Sequence, residues 1–288
     1  MPRIASSEDP SPVLPLDLER EILGTAAELY PETIPNLLLV AHRVQDWIER
    51  LKYKTVTSSG VGSSCPFRAL RQAIRSNLKP PDFFHHRVRH LFLGLGTTTI
   101  AGELEGTLSI CRGIQSLVLF AFAGPSILPS LGAMQLRRLS IDLKALFGTR
   151  PIDTGHLAFT FVTHLDIFGD TTGQPDLLAN LARLPALTHL ALFRYHTAIL
   201  ETELSKNKKL QVLIHMQSVG YADDHWISID DTRFVYMMLS DDEYERDWVV
   251  GVKGGMDFWA RAALFVAKKR RGEIKPSSRC WIEDGDGI

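Results

Sequence analysis

Six short segments of the chain repeat, in full or in large part, one pattern of apolar and polar positions: an apolar residue, two variable residues, a leucine, one variable residue and another apolar residue. Alternation over so few residues is typical of β-strands, because successive side chains of a strand point to opposite faces. The central leucines recur every 22 to 26 residues. They are Leu91, Leu117, Leu139, Leu165, Leu190 and Leu213.

A period in the twenties with one strand per unit is typical of leucine-rich repeats, so the pattern predicts an α/β leucine-rich-repeat solenoid of about six repeats over residues 67–225. Solenoids of this kind bind partners along an extended inner, concave face. Strand alternation places the residues that flank each central leucine on that face. The predicted partner-binding residues are His90, Phe92, Phe120, Arg138, His164, Asp166, Phe168, His189 and Phe193.

Three interpretations of this face remain open at the level of sequence. Aromatic residues and Arg138 favour an unknown protein target, since such residues anchor interfaces. Alternatively, the C-terminal segment folds over the face and the phenylalanines belong to the core. In the third interpretation His164, His189 and Asp166 form a metal or acid–base site, although these three residues fall short of a convincing ligand set. We therefore predict no catalytic residue, no metal site and no cofactor.

The N-terminal region has helical rather than strand periodicity. Residues 1–12 are rich in Ser, Pro and Asp and predict a disordered lead-in. Apolar residues at helical spacing then predict a helical block at residues 13–57, in which Pro15 suits the first position of a helix. The Gly/Ser-rich residues 58–66 predict a linker before the repeats.

Two stretches of this helical block, LPLDLEREIL (14–23) and IPNLLLVAHRVQDWIERLKYKTV (34–56), resemble the F-box motif. Together with the repeats, the chain is similar to the divergent F-box-like repeat proteins abundant in fungi. The resemblance implies that the block docks on a Skp-type adaptor of a cullin ubiquitin ligase, while the repeats hold the protein to be ubiquitinated. The implied docking residues are Leu14, Pro15, Leu18, Ile22, Leu23, Leu38 and Trp47. The helices taken alone also allow a simpler role as an N-terminal cap of the solenoid.

The last part of the chain, residues 226–288, departs from the repeat. It predicts a strand within residues 226–240 and a helix at about 255–271 with Phe258, Trp259 and Phe265 on its apolar side. A solenoid exposes an apolar end at its terminal repeat, so we interpret this aromatic-rich segment as a C-terminal cap.

Charge and composition argue against some classes of partner and location. Lys and Arg number 32 and Asp and Glu 33, for a net charge of −1, so no nucleic-acid partner is expected. No apolar stretch approaches the roughly 18 residues of a membrane span, and no secretory signal is evident, which favours the cytoplasm or nucleus. The sequence predicts a non-enzymatic interaction adaptor, and the resemblance to F-box proteins implies the substrate receptor of a cullin-type (SCF) ubiquitin ligase. The alternative is a stand-alone repeat scaffold or ligand-binding protein with no ubiquitin link.

Overall fold

The structure, a computed structural model, describes residues 14–58, 65–77, 79–94, 101–120, 124–169, 177, 180–193, 197–218 and 228–288. The chain forms two compact units, Met1–Lys54 and Thr55–Ile288. The predicted lead-in, residues 1–12, and residues 59–64 of the predicted linker lie outside the described residues.

The first unit is helical. Its helices are α1 (Leu16–Leu29), α2 (Ile34–Leu37) and α3 (His42–Lys54), with a 3-10 turn at Pro31–Thr33. Asp17 and Glu19 lie in the first turn of α1, where acidic side chains complement the helix dipole. Ala27 of α1 packs against Val44 and Ile48 of α3, and these buried residues form a small core.

The second unit contains a single parallel sheet with connecting helices. Its strands are β1 (Thr55–Thr57), β2 (His90–Leu93), β3 (Ser116–Leu119), β4 (Arg138–Asp142), β5 (His164–Phe168), β6 (His189–Phe193), β7 (Val212–Ser218) and β8 (Phe234–Leu239). Its helices are α4 (Pro66–Arg75), α5 (Pro81–Arg87), α6 (Ala101–Ile110), α7 (Leu128–Gly132), α8 (Leu143–Phe147), α9 (Thr197–Lys206), α10 (Asp241–Val252) and α11 (Phe258–Arg270).

Neighbouring strands pair in chain order, and all of them are parallel. The six repeated segments form β2 to β7, and their central leucines are register partners from Leu91 to Leu213. These leucines form one fully buried row across the sheet. The opposite side of each strand is also largely buried, as in β3, where all four residues are buried. The sheet therefore has two covered faces.

The predicted leucine-rich-repeat solenoid of about six repeats with a C-terminal cap is wrong. The structure is an α/β fold with a single eight-stranded all-parallel sheet, to which β1 and β8 contribute beyond the repeated segments. Residues 226–288 do not end the sheet as a cap, because they supply β8 and two helices, α10 and α11, that pack on one sheet face.

The error has a physical reason. A strand that is buried on both faces of a parallel sheet carries apolar residues at nearly every position, so a recurring leucine does not indicate an open inner face. Two parallel strands also need a crossover of a dozen or more residues between them. A period of 22 to 26 residues therefore fits a short strand followed by a helical connection in a parallel sheet, and it does not by itself indicate a solenoid.

None of the described helices is long and apolar enough to cross a membrane. The longest of those listed above, α1, has 14 residues, which corresponds to about 21 Å against a hydrocarbon core of about 30 Å.

Replacing Gly251 by Ala is expected to destabilise the second unit by about 1–3 kcal/mol, the usual cost of overpacking. A Cβ atom on Gly251 of α10 would lie 1.9 Å from Oδ2 of Asp257, which precedes α11. The measurement is the free energy of unfolding in urea.

The matched control is Gly106→Ala in α6. A Cβ atom at this exposed helical glycine meets nothing within 4 Å. Alanine should therefore stabilise the unit by about 0.4–1 kcal/mol, through its lower conformational entropy in the unfolded chain. Equal effects of the two substitutions would contradict the close packing of α10 against Asp257.

Candidate functional site

The two C-terminal helices form a hairpin, α10–α11, that covers one face of the sheet. Ser240 and Glu243 start α10 with a capping box, in which the Ser240 hydroxyl accepts from the Glu243 N–H and the Glu243 carboxylate accepts from the Ser240 N–H. Asp257 starts α11 by accepting a hydrogen bond from the Ala260 N–H at 2.9 Å. Such caps satisfy N–H groups at helix starts, so the sequence itself sets where each helix begins.

The nine predicted partner-binding residues all lie on or beside the strands, on the face covered by this hairpin. Phe92, Asp166 and Phe168 are buried. The half-buried members are His90, Phe120, Arg138, His164, His189 and Phe193. Of the interpretations left open by the sequence, coverage by the C-terminal segment is the arrangement in the structure. A partner that contacted the buried members would have to displace α10–α11.

Aromatic side chains fill the layer between the sheet and the hairpin. Phe120 and Phe168 stack with ring centroids 4.2 Å apart. Phe92 contacts Trp248 of α10 at 5.3 Å, and the ring of Tyr244 lies edge-on to Phe120 at 5.3 Å. Burial of each large apolar side chain contributes about 1.5–3 kcal/mol, so this layer holds the hairpin firmly on the sheet.

A buried polar cluster lies within this aromatic layer. The Tyr244 hydroxyl donates to Oδ2 of Asp166 and lies 3.0 Å from the Ser140 hydroxyl. Oδ1 of Asp166 has no hydrogen-bond partner among the residues that the structure describes. At the start of β3, the Ser116 hydroxyl accepts a hydrogen bond from the Trp248 indole N–H at 3.0 Å. These bonds determine where α10 sits along the strands.

Burial changes the ionisation of Asp166. Desolvation raises the pKa of its carboxyl from 3.8 to about 8, and the hydrogen bonds from Tyr244 and Ser140 offset only part of this rise. The acid is therefore largely neutral at pH 7. A neutral carboxyl can remain in an apolar layer, whereas an isolated carboxylate there would be much more costly.

His164 and His189 are register partners on adjacent strands. Their rings stack with centroids 4.1 Å apart and planes 11° apart, and Trp259 of α11 lies edge-on to both. Burial is the main reason why the pKa of His164 is lowered to about 3 and that of His189 to about 4. His189 and Arg138 contribute to the lowered pKa of His164, and Arg138 contributes to that of His189, where Asp257 acts in the opposite direction. Both imidazoles are consequently neutral at pH 7.

The hydroxyls of Thr163 and Thr188 select the tautomer of this pair. Thr163 donates to the Arg137 carbonyl at 3.1 Å and lies 2.9 Å from Nδ1 of His164. Thr188 donates to the Thr163 carbonyl at 3.2 Å and lies 2.8 Å from Nδ1 of His189. A hydroxyl that has donated its hydrogen can only accept, so we assign the N–H to Nδ1 in both rings.

This geometry does not favour a shared metal. An imidazole binds a metal ion in the plane of its ring, and two nearly parallel ring planes do not meet within ligand distance. In the part of the chain that the structure describes, no group of three or more His, Cys, Asp or Glu side chains is placed to hold a metal ion. The stacked histidines instead contribute to the packing of Trp259.

Charged residues fix the turn between α10 and α11. Nη1 of Arg138 on β4 donates to Oδ2 of Asp257 at 2.5 Å, and this carboxylate is almost fully buried. Asp247 of α10 accepts from the Phe258 N–H and from Nη1 of Arg261, the latter at 2.6 Å. Arg138 is among the predicted partner-binding residues, whereas Asp247, Asp257, Arg261 and Tyr244 are not. The helix-start signal of Asp257 is local, but its partner Arg138 lies 119 residues away, and Tyr244 lies 78 residues from Asp166.

The predicted adaptor-docking residues lie in the first unit. Leu14, Pro15, Leu18 and Ile22 are exposed. Leu23, Leu38 and Trp47 are half-buried and pack against the small core of Ala27, Val44 and Ile48. The structure thus brings four of the seven to the surface of α1 and its start, and places three against the core.

Replacing Asp166 by Asn is expected to remove a pH dependence of stability. The pKa of this carboxyl is 3.8 ordinarily and about 8 in the fold, so the folded protein retains a proton that the unfolded chain releases. Its contribution to the free energy of unfolding therefore falls as pH rises from about 4 to about 8, by up to about 1.4 kcal/mol per pH unit. Urea unfolding across this range measures the effect.

Comparison of wild type with the Asn variant cancels the other titrating groups, because both proteins share them. Wild type should lose stability relative to Asp166→Asn as pH rises, whereas the exposed-site control Asp230→Asn should follow wild type in parallel. Parallel curves for Asp166→Asn and wild type would contradict the raised pKa.

Tyr244→Phe is expected to destabilise the second unit by about 1–3 kcal/mol, because it leaves Asp166 and Ser140 buried without their shared partner. Thermal or urea unfolding measures the loss. The exposed Tyr30→Phe serves as control and should leave stability unchanged. An unchanged free energy of unfolding in Tyr244→Phe would show that the cluster does not hold α10.

Comparison of the chain with protein-family models, with curated proteins and with solved structures gives no significant match. The resemblance to F-box proteins thus remains a prediction from the residues of the first unit.

Proposed function

We propose that this protein is a non-enzymatic interaction adaptor that docks through α1 on a Skp-type adaptor of a cullin ubiquitin ligase. The observation that supports the proposal best is an exposed apolar row on α1. Leu18, Ile22 and Leu29 are 48%, 53% and 66% exposed. At 100° per residue they project within about 40° of one another, which makes them one continuous stripe.

This stripe is distinct from the face by which α1 packs on its own unit. Leu23 and Ala27 project from roughly the opposite side of the helix and contact the core formed with α3. α1 therefore carries apolar residues on two faces, of which only one is covered. Contiguous exposed apolar patches of this kind mark interaction surfaces.

The spacing fits helix-in-groove recognition. Within α1, Leu18 and Ile22 are four residues apart and Leu29 follows seven residues later, and an amphipathic helix that docks in an apolar groove uses anchors at such intervals. The resemblance of residues 14–23 to the opening of the F-box motif supplies the identity of the partner, a Skp-type adaptor. We accordingly propose that the protein is located in the cytoplasm or nucleus, as such an adaptor implies.

The second unit would then hold the target protein. Its sheet face is occupied by α10–α11, so we assign target binding to the outer surface of this unit rather than to the predicted inner face. Leu157, at 68% exposure, and Phe161, at 42%, are exposed apolar residues on that surface.

The double substitution Leu18→Asp with Ile22→Asp is expected to abolish adaptor binding while leaving the fold intact, because both side chains are exposed. Loss of two apolar anchors worth about 1.5 kcal/mol or more each corresponds to at least about a hundredfold weaker binding. Titration of the purified full chain with a Skp-type adaptor by calorimetry measures it.

The double substitution Leu157→Asp with Phe161→Asp is the matched control, since it adds the same two charges at exposed apolar residues of the other unit. It should bind like wild type. Failure of wild type to bind, or undiminished binding by the double variant in α1, would contradict docking through α1. The alternative of a scaffold with no ubiquitin link would then stand.

A further inference from the structure

A cavity of about 370 Å³ with polar and apolar walls opens on the second unit, away from the aromatic layer beneath α10–α11. Its walls come from the connection between β4 and β5, at residues 152–160, and from the connection between β5 and β6, at residues 180–185. The volume lies at the small end of the roughly 300–1,000 Å³ that is typical of ligand pockets. This size suits a ligand smaller than a nucleotide.

The wall carries hydrogen-bonding groups that the described part of the protein does not use. The Arg183 guanidinium forms no ion pair with a described residue, and no described side chain or backbone group bonds to the Asn180 amide or the Thr160 hydroxyl. A guanidinium pairs best with a carboxylate, through two parallel hydrogen bonds. The cavity therefore offers a carboxylate a cation and neutral donors.

His156 adds a further donor. Its Nδ1 accepts a hydrogen bond from the Ala158 N–H at 3.2 Å, which closes the start of a 3-10 turn. The hydrogen of the neutral imidazole then resides on Nε2. A ligand acceptor in the cavity can be met by this N–H.

A carboxylate of the protein lies on the same wall. Oδ1 of Asp153 accepts from the Gly155 N–H at 2.9 Å, and the group has no cationic partner among the described residues. Asp153 can receive an ammonium group. The cavity thus presents one positive and one negative side chain, which suits a zwitterion better than a simple anion.

The remaining wall is apolar. Ile152 and Phe159 are buried, and Pro185 adds its ring. An apolar side chain of the ligand would exclude water from this part of the wall.

From this combination we infer that the cavity binds a short zwitterionic peptide, of dipeptide size, with an apolar side chain. Its carboxylate pairs with Arg183, its ammonium group faces Asp153, and its side chain packs on Pro185 and Ile152. This site is independent of adaptor docking by α1, so either proposal can fail without the other.

Calorimetric titration of the full chain with the dipeptide Ala-Phe tests the inference. Ala-Phe should bind, and its C-terminal amide and its N-acetyl derivative should each bind at least tenfold more weakly, because each lacks one of the two charges. Absence of Ala-Phe binding, or equal binding of Ala-Phe and its amide, overturns the assignment. This ligand comparison uses the unaltered protein, so it decides the question without relying on the folding of a variant.

Substitution adds a second test. Arg183→Gln should weaken Ala-Phe binding at least tenfold, whereas Arg150→Gln, at an exposed arginine outside the cavity, should not. Equal affinities in the two variants overturn the assignment, and thermal unfolding of both confirms that each is folded.

Discussion

A parallel sheet has to bury both of its faces, and most of the second unit follows from that requirement. The row of central leucines, from Leu91 to Leu213, fills one face beneath the connecting segments. The other face carries aromatic side chains that need a cover of their own. Helices α10 and α11 supply this cover from the end of the chain, so the sheet and the C-terminal segment form one folding unit.

Asp166, the two stacked histidines and Arg138 on the covered face of the sheet are each either neutral or paired with an opposite charge. Asp166 remains neutral, and its hydrogen bond with Tyr244 holds α10 to the centre of the sheet. The stacked His164 and His189 are neutral too. Where a full charge is kept, it is paired, as in the bond between Arg138 and Asp257. Each polar group thus also fixes the position of the helices on the strands, which a purely apolar layer would leave less defined.

Because α10 and α11 cover one face of the sheet, the candidate interaction surfaces lie in other parts of the protein. In the first unit, α1 packs by one face and leaves Leu18 and Ile22 exposed, which supports docking on a partner. In the second unit, the connections on either side of β5 form a cavity lined by Asp153 and Arg183, neither of which is ion-paired with a residue that the structure describes. Both features belong to helices and connections. The strands position them but do not take part.

The sequence by itself determined most of the strands and the helical character of the N-terminal region, but not β1, which lies at the end of the predicted helical block. The recurring leucines identified β2 to β7, and helical periodicity identified α1 and the apolar side of α11 around Phe258. These features are local, because a side-chain pattern of period two or 3.6 reports on its own segment.

Only the tertiary structure decided which face of the sheet is covered and by what. The pattern around Asp166 is compatible with an open inner face or with a buried one, because a strand constrains its own side chains and not the distant segment that packs on them. Tyr244 reaches Asp166 across 78 residues of chain. Arg183 and Asp153 come to one cavity wall from separate connections. Such contacts depend on how the connections fold over the sheet, and no short-range periodicity encodes them.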